Sequence, residues 1–161
     1  MRKTPLLLIT AAVAVSAAGL YYVQERKRVS PHEQTSGVIA GQKITIEYGR
    51  PYKKGRVIYG GLVPYGQVWR TGADEATKLT TTADLMIGSL HVPKGTYSLF
   101  TVPGQNEWTL VLNKVPDQMG AYNYDQKMDL GRTKMKVEKA PAPLEQLTIS
   151  VESASGKQGL L

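Results

Sequence analysis

From about residue 37 onward the apolar positions recur at every second residue rather than every third or fourth. Ile44, Ile46 and Tyr48 alternate with Lys43, Thr45 and Glu47, the pattern of a strand with one face buried and the other wet. The run Gly37 to Ala40 precedes them across Gly41 and Gln42, so the two segments read as a β-hairpin. Thr77 to Thr81, Leu85 to Ile87, Thr96 to Val102, Trp108 to Leu112, Thr133 to Val137 and Leu147 to Val151 read as further short strands. Gly88 with Ser89, Pro93 to Gly95 and Pro103 to Asn106 supply the turns between them. No stretch after Val23 keeps an amphipathic helical pattern for three turns. Many short strands with closely spaced turns predict an all-β fold, an antiparallel β-sandwich or jelly-roll-like ectodomain.

The N-terminus obeys a different rule. Residues 5 to 23 form 19 consecutive positions without a charge, preceded by Arg2 and Lys3 and followed by Glu25, Arg26, Lys27 and Arg28. As a helix this segment spans roughly 28 Å, close to the ~30 Å hydrocarbon core of a bilayer. It reads as a single-pass anchor beginning near Leu6, with Tyr21 and Tyr22 at the interfacial belt and basic residues directly after. Ala11, Ala14 and Ala18 give it a small-residue face on which another membrane helix can pack, although alanine is also common in any export segment. The competing reading is a cleaved signal peptide, with an apolar run from Leu6 to Val15 and a cleavage site among Ser16, Ala17 and Ala18. Either reading exports the rest of the chain. The expected organisation is therefore an anchor or signal over residues 1–28 and an extracytoplasmic β domain over residues 29–161, reached through a polar linker from Gln24 to Thr35.

Composition narrows the chemistry. The chain has 161 residues and no cysteine, which excludes a disulfide scaffold, a thiolate nucleophile and a Cys-ligated metal. Nine tyrosines and two tryptophans stand against one phenylalanine, so tyrosine carries most of the ring area and its hydroxyls need partners. Five of the 20 basic residues and one of the 13 acidic residues fall within positions 1–28. The remaining 133 residues then carry 15 basic against 12 acidic side chains, too mild an excess for a nucleic-acid binder.

Candidate chemistry gathers in two irregular, glycine-rich stretches. Residues 48–56 (YGRPYKKGR) are basic, and residues 60–79 carry Trp69, Arg70, Asp74 and Glu75. Arg50, Trp69, Arg70 and Glu75 form a candidate ligand-binding set, in which guanidinium forks take a carboxylate or phosphate and the indole offers a face for a sugar. The plainer alternative is that Arg50 and Arg70 pair with Asp74 or Glu75 and lock the loops. Asp74 and Glu75 are adjacent and point to opposite sides of an extended backbone, which weakens a hydrolase reading. His32 and His91 read as surface residues with no ligand spacing around them. Ser98 lies inside a strand without a G-x-S-x-G turn, and Gly60 with Gly61 lacks the G-x-G-x-x-G spacing, so neither a serine hydrolase nor a dinucleotide site is expected. Tyr122, Asn123, Tyr124 and Asp125 form a polar aromatic loop, suited to recognition or, more commonly, to half-buried hydrogen-bonded tyrosines. No pattern selects a metal, nucleotide or redox cofactor, and no catalytic residue is assigned.

Taken together, SPHE (30–33), ITIEYGRPYKKGRVIYGGLVPYGQVWRTGADEATKL (44–79), VPKGTYSLFTVPGQNEWTLVLNK (92–114) and YNYD (122–125) resemble the bacterial domain-of-unknown-function family 2911 over about residues 30 to 152. The resemblance implies an exported β domain and supplies no accepted activity, substrate or catalytic residue. Members of that family typically carry Asn where this chain has Asp74. They also usually continue with a further tryptophan-containing hairpin, whereas this chain stops at Leu161. A sheet shortened in this way leaves an edge for a partner, unless the sequence is a truncated gene product.

The resulting expectation is a non-enzymatic, membrane-anchored module, an accessory or structural subunit of a larger inner-membrane complex with its β domain in the periplasm. The alternative is a periplasmic binding module, soluble if the signal is cleaved, for a small anion, glycan or peptide. An enzyme using Glu75 against a carbohydrate or ester is the third reading. It calls for a second carboxylate within about 10 Å across a cleft.

Overall fold

The computed structural model describes residues 30–155 and 158–161. The expected anchor, with Leu6, Ala11, Ala14, Ala18, Tyr21 and Tyr22, lies outside the described residues. Those described form an all-β, antiparallel structure whose helical content is one 3₁₀ turn, Gln126–Met128.

The main sheet has six strands: β1 (His32–Ile39), β2 (Gln42–Gly49), β3 (Thr77–Thr81), β6 (Gly95–Val102), β7 (Glu107–Asn113) and β8 (Asp129–Lys136), hydrogen-bonded in that order. Two ribbons accompany it: β4 (Leu85–Ile87) with β5 (Leu90–Val92), and β9 (Glu152–Ser155) with β10 (Gln158–Leu160). The β1–β2 hairpin closes through Ala40 and Gly41, both at positive φ (52° and 77°), the geometry that lets a two-residue turn follow the strand twist.

Period-two alternation sorts side chains onto the two faces of the sheet. Ile44, Ile46, Tyr48, Leu79, Tyr97, Leu99, Leu110 and Leu112 form the principal core with Val92 and Val151. The register sets Ile46 opposite Leu79, Leu79 opposite Tyr97 and Leu99 opposite Leu112, so these positions face one way. The β4–β5 ribbon and the C-terminal segment cover this face through Leu85, Ile87, Leu90, Leu147 and Ile149. Phe100 and Val111, one residue out of phase, face the other side, where they pack with Ala76, Val68, Ala121 and Tyr124. The buried tyrosines find partners: Tyr97 Oη donates to Pro93 O (2.8 Å), and Tyr48 Oη accepts from the backbone N–H of Ile149 (3.1 Å).

Two expectations need correction. The linker does not run to Thr35, because β1 already begins at His32. As an edge strand, β1 alternates exposed with half-buried positions built largely from polar residues, so hydropathy carries no period there. Leu147 to Val151 is not a ladder strand. Its alternation comes from Leu147, Ile149 and Val151 reaching the core, while the backbone N–H of Leu147 bonds Pro51 O (3.0 Å).

Candidate functional site

The irregular stretch between β2 and β3 is held at its far end by the sheet. Trp69 takes the lane that β3 vacates and forms a two-bond bridge with Thr101 of β6, N–H to O at 2.8 Å and 2.9 Å in the two directions. Beyond it the chain turns tightly, with Thr71 and Asp74 both at positive φ (58° and 62°). Thr77 Oγ1 donates to Thr71 O (2.9 Å), and the hydroxyls of Thr71 and Thr101 lie 3.1 Å apart. Ala73 N–H donates to Gly49 O (3.2 Å), and a Cβ on Gly49 would collide with the Ala73 carbonyl, so only glycine lets these backbones approach. The positive φ at Asp74 also accounts physically for an Asn at that place, because Asn tolerates the left-handed conformation well.

In front of this turn lies an open groove of about 1120 Å³. Its aromatic lining is Tyr52, Tyr59, Tyr65 and Trp69, and its cations are Lys53, Lys54, Arg56 and Arg70. Residues 143–148 form the opposite wall. Tyr59 sits edge-on to both Trp69 (centroids 6.0 Å apart) and Trp108 (4.7 Å), a fixed cluster at the groove's inner end. Burial of the Tyr59 ring pushes its phenol pKa up, so the hydroxyl stays protonated at neutral pH. Arg56 is braced from behind, its guanidinium donating to Lys53 O (2.9 Å) and Tyr52 O (2.5 Å). None of Lys53, Lys54 and Arg56 forms a side-chain ion pair with a described carboxylate.

The four candidate residues separate into three places. Trp69 and Arg70 line the groove, and Arg70 Nε is buried without a hydrogen-bond partner. Arg50 is a clamp: it ion-pairs with Glu33 (2.7 Å) and donates to Leu147 O (2.8 Å) and Thr148 Oγ1 (3.0 Å). It therefore pairs with neither Asp74 nor Glu75, and it braces the groove's far wall without lining the groove. Glu75 lies in a separate recess of about 140 Å³ with His32, Glu47 and Lys78. His32 Nδ1 stands 4.0 Å from Glu75 Oε2, and Lys78 is held charged chiefly by its bond to Asp117. The second histidine, His91, lies 3.3 Å from Asp84, so each histidine has a carboxylate beside it that sequence spacing did not reveal.

A single match decides the family. The family model described as protein of unknown function (DUF2911) covers residues 30–161. This chain belongs to the DUF2911 family. No curated protein and no solved structure matches it.

This DUF2911 domain also contains a polar cluster that reading the sequence did not assemble. Behind the sheet, Gln118 Nε2 donates to Ser98 Oγ (3.0 Å) and Asn113 Oδ1 (3.1 Å), and Asn113 Nδ2 donates to Asp129 Oδ1 (3.0 Å) and Asp125 O (3.0 Å). Tyr124 Oη donates to Asp129 Oδ2 (2.8 Å), and Arg132 closes the chain on both (3.0 Å and 2.6 Å). Burial first, and then the bond to Asp129, push the Tyr124 phenol up to about 12, with Arg132 opposing. The YNYD motif was the one sequence signal for this cluster, and its tyrosines divide: Tyr124 is bonded and half-buried, whereas Tyr122 is exposed. Among the described residues, no group of three or more His, Cys, Asp or Glu side chains gathers as a metal site.

Proposed function

We propose that this chain is a membrane-anchored extracytoplasmic binding module of sandwich type, without a catalytic step, whose groove takes an anionic ligand. The observation that carries the reading is the convergence of Tyr52, Tyr59, Tyr65 and Trp69 with Lys53, Lys54, Arg56 and Arg70 on one groove. Rings supply contact area at low entropic cost and the cations select the sign of the ligand. At about 1120 Å³ the groove exceeds the upper range of typical small-molecule pockets, which suits an extended ligand.

The hydrolase alternative is weaker for a reason of size. Glu47 supplies the second carboxylate that a glycoside-cleaving Glu75 calls for, but their recess of about 140 Å³ is less than half the roughly 300 Å³ at which ligand pockets begin. An accessory-subunit role draws on the apolar segment at residues 5–23 and on the exposed alternate positions of edge strand β1.

The test is calorimetry at low salt with soluble anionic glycans and phosphates. Lys53→Ala combined with Arg56→Ala is expected to abolish the binding heat, while Glu75→Gln leaves it intact. Unchanged binding in the first variant removes the groove from the site. Stoichiometric recovery of a membrane-protein complex, with no ligand found, favours the accessory role.

A further inference from the structure

The outer rim of the groove is amphipathic in a way that a soluble anion or sugar does not explain. Val57, Leu62 and Leu144 are 73%, 59% and 66% exposed, and they stand beside Tyr52 and Tyr65, which are also exposed. A glycan site would place hydrogen-bonding groups at these positions. The groove's charged lining is mainly cationic, Lys53, Lys54, Arg56 and Arg70 against Asp74 and Glu145. The Glu145 carboxylate accepts only the backbone N–H of Lys54 (2.7 Å), and the side chains of Lys53, Lys54 and Arg56 form no ion pair with a described carboxylate. Aliphatic tips, half-exposed tyrosines and long-stemmed cations along one rim match the interfacial layer of a bilayer. There apolar tips dip below the headgroups, tyrosines straddle the boundary and cations meet phosphates.

The connection to the rest of the chain points the same way. Ser30 itself lines the groove, and only six residues lie between it and Val23, the last position of the charge-free segment. The seven Cα-to-Cα steps from Val23 to Ser30 reach at most about 25 Å whatever their conformation. A segment held in a membrane therefore keeps this rim within reach of the same surface.

We propose that the rim docks on a bilayer containing anionic phospholipid, and that the groove's ligand is the phosphate-bearing headgroup presented there. This rests on the binding-module reading and names its ligand. The lipid phosphate meets Lys53, Lys54 and Arg56, while Val57, Leu62 and Leu144 enter the upper acyl layer.

The chain's two tryptophans, Trp69 and Trp108, both belong to the ring cluster at the groove and provide the readout. The full chain is reconstituted in nanodiscs of phosphatidylcholine alone, or of phosphatidylcholine mixed with phosphatidylglycerol. Each contains lipid spin-labelled at a shallow acyl position. Tryptophan quenching is expected to be stronger in the anionic discs and to be relieved by salt. Charge reversal at Lys53, Lys54 and Arg56 is expected to lower the docked fraction at least about tenfold. Val57→Asp with Leu62→Asp should lower it as well, with circular dichroism confirming that both variants remain folded. Equal quenching in the two disc types, or quenching indifferent to both sets of substitutions, overturns the proposal. Titrating soluble glycerol phosphate and an anionic oligosaccharide onto the protein in phosphatidylcholine discs separates the two levels. If a soluble ligand binds but lipid charge has no effect, the lipid inference falls and the binding module stands. If neither soluble anion nor lipid charge has an effect, both fall.

Discussion

The groove and the polar cluster behind the sheet draw on the same side-chain types, tyrosine and arginine among carboxylates, and differ in how those groups are satisfied. Behind the sheet the members bond to one another: Asn113 is fully buried and reaches Asp129 and Asp125, and Asp129 holds both Tyr124 and Arg132. Around the groove Lys53, Lys54 and Arg56 form no side-chain ion pair with a described carboxylate, and Tyr52 and Tyr65 stand open. A closed network fixes a fold, because each group was desolvated together with its partner. Charges left in solvent add little stability and stay available to something else. By this criterion Arg50, with its three bonds, belongs with the first region, although its neighbours in sequence belong with the second.

The sharpest way to break the contrast is Asn113→Leu, which strands Gln118, Asp129 and the Asp125 carbonyl at once. It is expected to destabilise the full chain in detergent by about 3 kcal/mol in urea unfolding. Arg50→Ala should cost about 2 kcal/mol, since Glu33 loses its partner and two acceptors on the far wall go unmet. A loss below half of that would place Arg50 back among residues free to serve a ligand. Tyr124→Phe removes one bonded hydroxyl, for about 1 kcal/mol at neutral pH. It also carries a pH signature. The folded phenol titrates near 12 and the unfolded one near 10, so the native state holds the extra proton between them and stability falls as pH rises through that window. Urea midpoints taken from pH 9 to 12 should show a shallower fall in Tyr124→Phe than in the parent. Asp74→Asn should stabilise by about 0.5 kcal/mol, because the left-handed φ of 62° suits an amide. Smallest of all, alanine at Lys53, Lys54 and Arg56 together should leave the unfolding midpoint nearly unchanged, within about 0.5 kcal/mol, and a larger loss would mean the rim is structural.

Strands with one face buried, β2 and β3, were legible from their alternation, whereas β6 and β7, buried on both faces, were legible as apolar runs bounded by turns. The edge strand β1 was not, because His32, Gln34 and Ser36 alternate only in exposure, and a polar sequence does not record that. At Leu147 to Val151 the opposite happened: the alternation was real, but it reported burial against the core without a ladder partner. Grouping the candidate set by closeness in sequence kept Trp69 with Arg70 on the groove but joined to them Glu75, which lies in the separate recess. It could not show that Arg50 reaches Glu33 and Leu147, since the second contact spans 97 residues. Trp69 and Arg70 reach the groove because their irregular, glycine-rich stretch does carry a sequence signal. The far wall, residues 143–148, carries none.

The strand order has a consequence for how the domain assembles. Neighbours in the main sheet are also successive in the chain, apart from the step from β3 to β6, which skips only the β4–β5 ribbon. Pairing can therefore zip forward from strand to strand, with the longer closures at residues 50–76 between β2 and β3 and 114–128 between β7 and β8, because closure entropy grows only slowly with loop length. The stretch that seals the groove is the exception, since residues 145–147 must return to Pro51 and Lys53 across nearly the whole length of the domain. That contact is the natural last step of folding. A half-made chain would then possess its sheet and its aromatic rings but not the enclosure that makes them a site, so recognition becomes a property of the finished molecule alone.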